Sequence, residues 1–342
     1  MQTAIAVLLF IAGLVLLIKG GDWFVDGSVN IAHRTRLPEM LIGSTIVAIG
    51  TTLPEVMVSS LSAFREQSAT AYGNAIGSVI CNAALIAALT IAIRPVKADR
   101  STFRLPVLFF FLAAALYTAV SYFGNFRRWV GILLLAMFAA YMILSARSAF
   151  KKAAAGTGEP AEKEPDEIDE EAEPEAVAPQ GALWKDILLL VAGAAAIAVG
   201  AYLLVNYGKE IAIAMGVPES VIAITLIALG TSLPELATAV ISLIKGHASL
   251  SLGNIIGANL FNLVLVSGAA VTIRPFNISE ATAQEAKTIL GHPSSRVVEI
   301  PLMLLSMLIL TVPPLIKGKV FRWQGVLLLL LYAGFCVYQF AF

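Results

Sequence analysis

The chain has 342 residues, 58% of them hydrophobic and only 13% charged, with a mean hydropathy of +0.84. Soluble domains carry about a quarter charged residues, so this composition excludes a water-soluble globular protein and indicates a polytopic membrane protein. Lys and Arg balance Asp and Glu at 23 each, a net charge of zero that speaks against nucleic acid as a partner.

The first apolar run, "MQTAIAVLLFIAGLVLLIKG", has no positive start and no small-residue cleavage site, and is too long for a signal peptide. It is read as a first membrane span. Charge-poor stretches predict ten spans, at roughly 2–26, 38–64, 70–93, 105–123, 128–148, 183–207, 218–244, 249–273, 297–316 and 321–341. Between the fifth and sixth, residues 159–180 hold ten acids and four prolines. That composition cannot bury enough apolar surface to order itself. The expected organisation is a first five-helix half over 1–150, an acidic disordered linker over 151–182, and a second five-helix half over 183–342. Cys81 and Cys336 fall in apolar segments at no metal or disulfide spacing and are read as small buried hydrophobes.

Loops after the odd-numbered spans hold 16 of the 23 Lys and Arg, and loops after the even-numbered spans hold 7. The positive-inside rule then places both termini outside a cell (plasma) membrane and the acidic linker in the cytoplasm. Asp22 and Asp26 lie near the expected inner end of the first span, as interfacial charges or a cation-attracting mouth. His33, His247 and His292 are assigned to solvated loops. Glu39 and Glu219 each follow a proline at a helix start, where a carboxylate favours the helix dipole.

One charge is out of place. Glu55 is the only charged side chain between Glu39 and Arg65, in "AIGTTLPEV", and Glu235 repeats the situation in "ALGTSLPEL". A carboxylate at membrane depth costs roughly 3 kcal/mol or more on insertion scales. Residues 37–64 align without gaps on 217–244 with 11 of 28 identical, and the 180-residue offset continues through "GNAIGSVICN" (73–82) over "GNIIGANLFN" (253–262). Nine of the 23 positions from 73 to 95 match. A constant offset across two helices and a loop indicates internal duplication. Five spans per half make the halves enter the membrane in opposite directions, an inverted-topology repeat, with the two Glu near mid-membrane. The fold class expected is therefore an all-α polytopic membrane protein of two inverted five-helix repeats.

Thr51 and Glu55 share a helix face, with Thr52 alongside. Pro54 cannot donate to the carbonyl of Gly50, nor Pro234 to that of Gly230, so both helices are expected to open there and turn carbonyls into a cavity. Asn74, Ser78 and Asn82 follow on one face of the next helix, with Asn254 and Asn262 in the second half. Hydroxyls, carbonyls, amides and two carboxylates make an all-oxygen set suited to hard cations such as calcium or sodium. Asn74 and Asn254 have a competing role as hydrogen-bond glue between helices.

These paired motifs resemble the α-repeats of the calcium/cation antiporter superfamily, especially the prokaryotic sodium/calcium exchangers. The resemblance covers the whole chain. It implies exchange of calcium for sodium by alternating access, with helices 1 and 6 sliding over a core of the other eight. Carried onto this sequence, it implies calcium ligands at Glu55, Glu235, Thr51 and Thr231. It implies sodium sites at Ala48, Thr52, Ser78, Ala228 and Ser232, with Asn82 and Asn262 lining the centre. Three positions depart from the family pattern: Ala258 where Ser is usual, Val79 where Asn is usual, and Asn262 where potassium-dependent members carry Asp. Ser78 and Ala258 stand where the proton-coupled branch has Glu.

The expected protein is a secondary antiporter, not an enzyme, working as a monomer in the lipid bilayer on calcium and sodium ions without a cofactor. The alternative is a proton-coupled antiporter of calcium or another divalent cation, in which Glu55 and Glu235 carry protons. A cation channel is disfavoured by the inverted repeat, and an intramembrane enzyme by the lack of any further catalytic constellation.

Overall fold

The computed structural model describes residues 2–154, 182–215, 230–277, 288–289, 292–293 and 295–341. Most of the acidic linker, Pro218, Glu219 and Ala228 lie outside the described residues. Apolar runs fold as helices because lipid offers the backbone no hydrogen-bond partner. In chain order these are α1 (Gln2–Thr35), α2 (Glu39–Phe64), α3 (Ser68–Ile93), α4 (Arg100–Phe123) and α5 (Arg128–Ala154). The second half contributes α6 (Leu183–Ala214), α7 (Leu233–Ile244), α8 (Ala248–Ile273), α9 (Arg296–Lys317) and α10 (Arg322–Ala341). Eight of them, α1 to α6, α8 and α9, are long and apolar enough to cross a bilayer, and α7 is a shorter apolar helix.

Several ends differ from the sequence expectation. α1 continues to Thr35 and α6 to Ala214, so Asp22, Asp26 and Glu210 ride inside helices and do not mark span ends. α4 starts at Arg100 because the Asp99 carboxylate accepts hydrogen bonds from the backbone N–H groups of Ser101 (2.9 Å) and Thr102 (3.2 Å). Among the described residues four helices carry a π-helical turn: Gly43–Val47 in α2, Asn82–Ala87 in α3, Asn262–Val266 in α8 and Ser295–Glu299 at the start of α9. Such turns recur at functional sites. The fold is nearly, not wholly, helical. β1 (Asn125–Phe126) pairs antiparallel with β2 (Phe276–Asn277), and β3 (Thr288–Ile289) with β4 (His292–Pro293).

Contacts between the halves recur when the halves are exchanged. α1 and α6 pack along each other at glycines. A Cβ built at Gly13 would lie 3.0 Å from the Gly200 carbonyl oxygen, and one at Gly193 would lie 2.7 Å from that of Gly20. The 180-residue offset turns the first pair into the second. At Gly131 of α5 a Cβ would meet the Gly268 carbonyl oxygen at 2.9 Å, and at Gly325 of α10 it would meet that of Ala88 at 2.5 Å. Arg128 donates to the carbonyls of Thr272 and Ile273 at the end of α8, as Arg322 donates to that of Ile93 at the end of α3. These contacts uncover a second repeat: "RWVGILLL" (128–135) over "RWQGVLLL" (322–329), six of eight identical at an offset of 194.

α3 and α8 form the centre of the bundle, and the α8 side chains from Leu250 to Val264 are buried on every side. A helix apolar or buried all round belongs to an interior. α1 and α5 turn exposed Leu8, Val15, Ile132 and Ile143 outward. Beside the β1–β2 pair, Tyr72, Tyr117, Phe126 and Phe276 form an aromatic cluster, with the two Phe rings stacked at 4.9 Å. Cys81 is buried as expected, whereas Cys336 is only half-buried; both thiols are free.

Candidate functional site

The two glutamates arrive by different local structures. In α2, Pro54 sits inside a continuous helical stretch, Ala48–Phe64, and the departure from regular geometry lies earlier, at the π-helical turn Gly43–Val47. In the second half the chain turns at Thr231 and Ser232, and α7 begins at Leu233. Pro234 then occupies the first turn of a helix, where its missing N–H has no partner to lose. The expectation that both prolines open a helix interior is not met at Pro54, where the helix stays continuous. In the second half Gly230 is helical, the chain turns at Thr231 and Ser232 and helix resumes at Leu233, which is the opening expected before Pro234. Glu235 falls in that first turn, where the helix dipole favours a carboxylate.

Glu55 and Glu235 are both 0% exposed, and none of their four carboxylate oxygens has a hydrogen-bond partner. The two carboxylates lie close enough to repel each other, and Glu235 faces the hydroxyls of Thr51 and Thr52 short of hydrogen-bonding geometry. Thr52 and Ser232 hydroxyls are buried without partners, as are both polar ends of the Asn82 and Asn262 amides. Those asparagines open the π-helical turns of α3 and α8. The turn after Asn82 packs on α7, and the turn after Asn262 packs on α2, so each half's turn meets the other half's glutamate helix.

Among the described residues, ion pairs engage Asp22, Asp26, Glu39, Glu66 and Asp186, and none reaches either buried Glu. An ionised carboxylate buried without a partner costs several kcal/mol. Two together require neutralisation by a cation or by protons. The donors around them are oxygen and amide groups with no imidazole, a set that matches a hard cation.

The remaining predicted residues distribute as follows. Thr51 is buried, and its hydroxyl bonds the Asn254 side-chain oxygen at 3.1 Å and the Ala48 carbonyl at 3.4 Å. Ser78 is buried on α3, Thr231 is half-buried, and Ala228 lies outside the described residues. Asn74 donates to the Ser59 hydroxyl (2.9 Å) and the Glu55 carbonyl (3.3 Å), which is the glue role between α3 and α2. Sequence reading left Asn254 among the auxiliaries, yet it ties α8 to α2 at Thr51. It also missed a file of buried hydroxyls, Thr238 and Ser242 on α7 and Ser59 and Ser62 on α2. The signal was available, since these follow the glutamates at helical spacings of three, four or seven.

The surroundings correct three expectations. Asp22 and Asp26 are bound by Lys245, at 3.4 and 2.7 Å, and tie α1 to the end of α7. His247 is not free in solvent, because its Nδ1 lies 2.8 Å from Oε1 of Glu39. His33 is exposed but sits in the last turn of α1, and the His292 side chain lies outside the described residues. Buried Asp186 of α6 bonds Arg34 and Asn30 of α1. Over the site, the Phe24 ring of α1 rests on Gly50, and Val205 of α6 rests on Gly230. A small cavity of about 10 Å³ lies there, lined by Phe24, Thr51, Pro54 and Pro234, with room for about one water.

A family model described as "Sodium/calcium exchanger protein" matches residues 5–147 and 185–341. The sodium/calcium exchanger MaX1 of Methanosarcina acetivorans is 30% identical, the alignment covering 97% of this chain and 98% of MaX1. The inner membrane protein YrbG of Escherichia coli strain K12 is 33% identical over 80% of this chain and 82% of its own. A solved structure of the sodium-calcium exchanger NCX_Mj, soaked with 10 mM Na+ and zero Ca2+, superposes with a TM-score of 0.75 at 29% identity, covering 97% of both chains.

Proposed function

Because the chain belongs to the sodium/calcium exchanger protein family, we propose that it is a secondary antiporter exchanging calcium for sodium by alternating access. The observation that carries this reading is the buried pair Glu55 and Glu235, with four unpartnered oxygens and no basic partner among the described residues. Two negative charges in a low-dielectric site match one divalent cation, and the same charges are matched by sodium ions in the opposite step. Thr51, Thr231, Thr52 and Ser232 supply further oxygens, as do the carbonyls of Ala48 and Ala228; Ser78, Asn82 and Asn262 line the centre.

The reading includes ten spans in two inverted halves. Its support is the set of contacts that recur on exchange of the halves, at Gly13/Gly200 and Gly20/Gly193, and at Arg128/Ile273 and Arg322/Ile93. Alternating access assigns α1 and α6 to one moving unit. Their glycine-to-glycine packing and the buried Asp186–Arg34 pair support their moving together. Phe24 and Val205, seated on the motif glycines, are the contacts such a unit slides across. Loop charge places the termini outside a cell membrane and the acidic linker in the cytoplasm, and the site is complete within one chain.

The test is radioactive calcium uptake into sodium-loaded proteoliposomes diluted into sodium-free buffer. Uptake that needs the sodium gradient and survives a protonophore supports the proposal. Uptake that ignores sodium and follows an imposed pH gradient overturns it in favour of proton coupling.

A further inference from the structure

The contacts shared by the two halves meet a difference in charge. After α8, Asn277 pairs with Asn125, which follows α4. The corresponding bridge at the other end of α4 pairs Lys97, after α3, with Lys319, after α9. The flanking bonds run from Ala98 N–H to the Gly318 carbonyl (2.8 Å) and from Val320 N–H to the Val96 carbonyl (2.9 Å). That pattern makes Lys97 and Lys319 a non-hydrogen-bonded antiparallel pair, the class in which opposed side chains come closest, with Cα atoms about 4.5 Å apart. Like charges directly opposite each other destabilise a ladder.

More positive charge gathers around this bridge. Arg100 bonds the Ile316 carbonyl beside Gly318, and Arg322 bonds the Ile93 carbonyl. Lys317 and Lys319 both sit over the Phe321 ring, at 5.5 and 5.4 Å. Among the described residues none of Lys97, Arg100, Lys317, Lys319 and Arg322 is in an ion pair, and all five are exposed. The rim is apolar: Ile93, Ile316 and Trp323 are each more than half exposed, as residues at a hydrocarbon boundary are.

We propose that the Lys97–Lys319 bridge is a binding site for the phosphate headgroup of an anionic phospholipid, whose acyl chains lie against Ile93 and Ile316. A phosphate between the two ammonium groups removes their repulsion, and Arg100 and Arg322 keep donors to spare for its oxygens. The apolar rim selects a lipid over a soluble anion or the chain's own acidic segment, which has little apolar surface to offer it. Membrane embedding is sufficient for this inference; the leaflet, cytoplasmic, comes from the orientation proposed above.

The experiment titrates phosphatidylglycerol, and phosphatidylcholine in parallel, into the full-length protein in zwitterionic detergent. Bound lipid is counted by native mass spectrometry, and melting temperature is followed on the same samples. Wild type should retain phosphatidylglycerol in preference to phosphatidylcholine. K97Q/K319Q should weaken its binding roughly 25-fold, about five-fold per Lys near an anionic headgroup, whereas R127Q/R274Q at the other end of α4 should not. K319E sets opposite charges across the bridge, so it should raise the melting temperature without lipid and abolish the increment phosphatidylglycerol gives. Unchanged phosphatidylglycerol affinity in K97Q/K319Q overturns the proposal. Equal stabilisation by inorganic phosphate overturns the lipid assignment, and so does tighter binding of a peptide of residues 159–180. The readout is binding in detergent, so its failure is separate from failure of the uptake assay.

Discussion

Replacing Glu55 by Gln removes one negative charge from the buried pair and leaves side-chain shape nearly unchanged. The structure supplies both signs of the expected effect. Without a bound cation, Glu55 and Glu235 repel each other at zero exposure, so the variant should fold at least as well as wild type and melt no lower in cation-free buffer. With calcium, the lost attraction is large: a unit charge at 4 Å contributes about 4 kcal/mol at an effective dielectric of 20, and a divalent ion doubles the charge it meets. Even the lower figure is roughly a thousand-fold in affinity. Glu55→Gln should therefore abolish sodium-driven calcium uptake in proteoliposomes and the rise in melting temperature that calcium gives the wild type. Glu235→Gln should do the same. Near-normal calcium uptake by either variant would refute the assignment of the pair as the cation site. A variant that fails to reach the wild-type melting temperature in cation-free buffer would refute the claim that the apo pair is repulsive.

Other substitutions test the scaffold around the pair. Asn254→Ala removes the shorter of the two hydrogen bonds of the buried Thr51 hydroxyl, leaving the one to the Ala48 carbonyl, and should cost about 0.5–1.5 kcal/mol in thermal or denaturant unfolding. Asp186→Asn leaves Arg34 without its charge partner at the α1–α6 end and should cost about 3–5 kcal/mol on the same scale. Lys245→Gln loses only part-exposed pairs with Asp22 and Asp26. Its effect should stay within about 1 kcal/mol and vanish at high salt, measured by melting at two ionic strengths. Ala258→Ser restores a hydroxyl at a buried position equivalent to Ser78 and should lower the sodium concentration needed for half-maximal exchange.

Much of this architecture is legible from charge alone. Glu55 and Glu235 declare themselves because a carboxylate in an apolar run has no inexpensive explanation, and the membrane spans follow from the same scarcity of charge. The length of α1 is not legible, because Asp22 and Asp26 look like span ends until Lys245 is found beside them, more than 200 residues away. The bond from Thr51 to Asn254 crosses 203 residues for the same reason: spacing reports neighbours on one helix, and this contact joins two. The π-helical turns at Asn82 and Asn262 leave no trace in periodicity, since one extra residue in a turn only shifts the apolar face that follows. The "RWVGILLL"/"RWQGVLLL" repeat stands in plain view but does not fall at the 180-residue offset of the first motifs, because the second half is 14 residues longer between the two motifs.

Once both repeats are in register, a difference between the halves becomes informative in a way a shared feature is not. Packing that both halves need is supplied twice, as at Gly131 and Gly325 or at Arg128 and Arg322. Where the halves diverge at matched, structurally similar positions, packing does not account for the choice. Ser78 stands against Ala258, and Val79 against Asn259, whose amide donates to the Met307 sulfur at 3.2 Å and leaves its oxygen unpartnered. The bridge lysines Lys97 and Lys319 stand against Asn277 and Asn125. The first two differences lie about one turn before Asn82 and Asn262, on α3 and α8, so they bear on how unequally the halves hold ions. The last lies at an end of the bundle and bears on which surroundings that end meets. Exchanging residues between halves separates these roles. Moving Ser from 78 to 258 leaves the count of hydroxyls unchanged and should reduce uptake only if the halves contribute unequally to the site. Equal uptake in the exchanged chain would show the two positions to be interchangeable, and the asymmetry at the centre to be without consequence for transport.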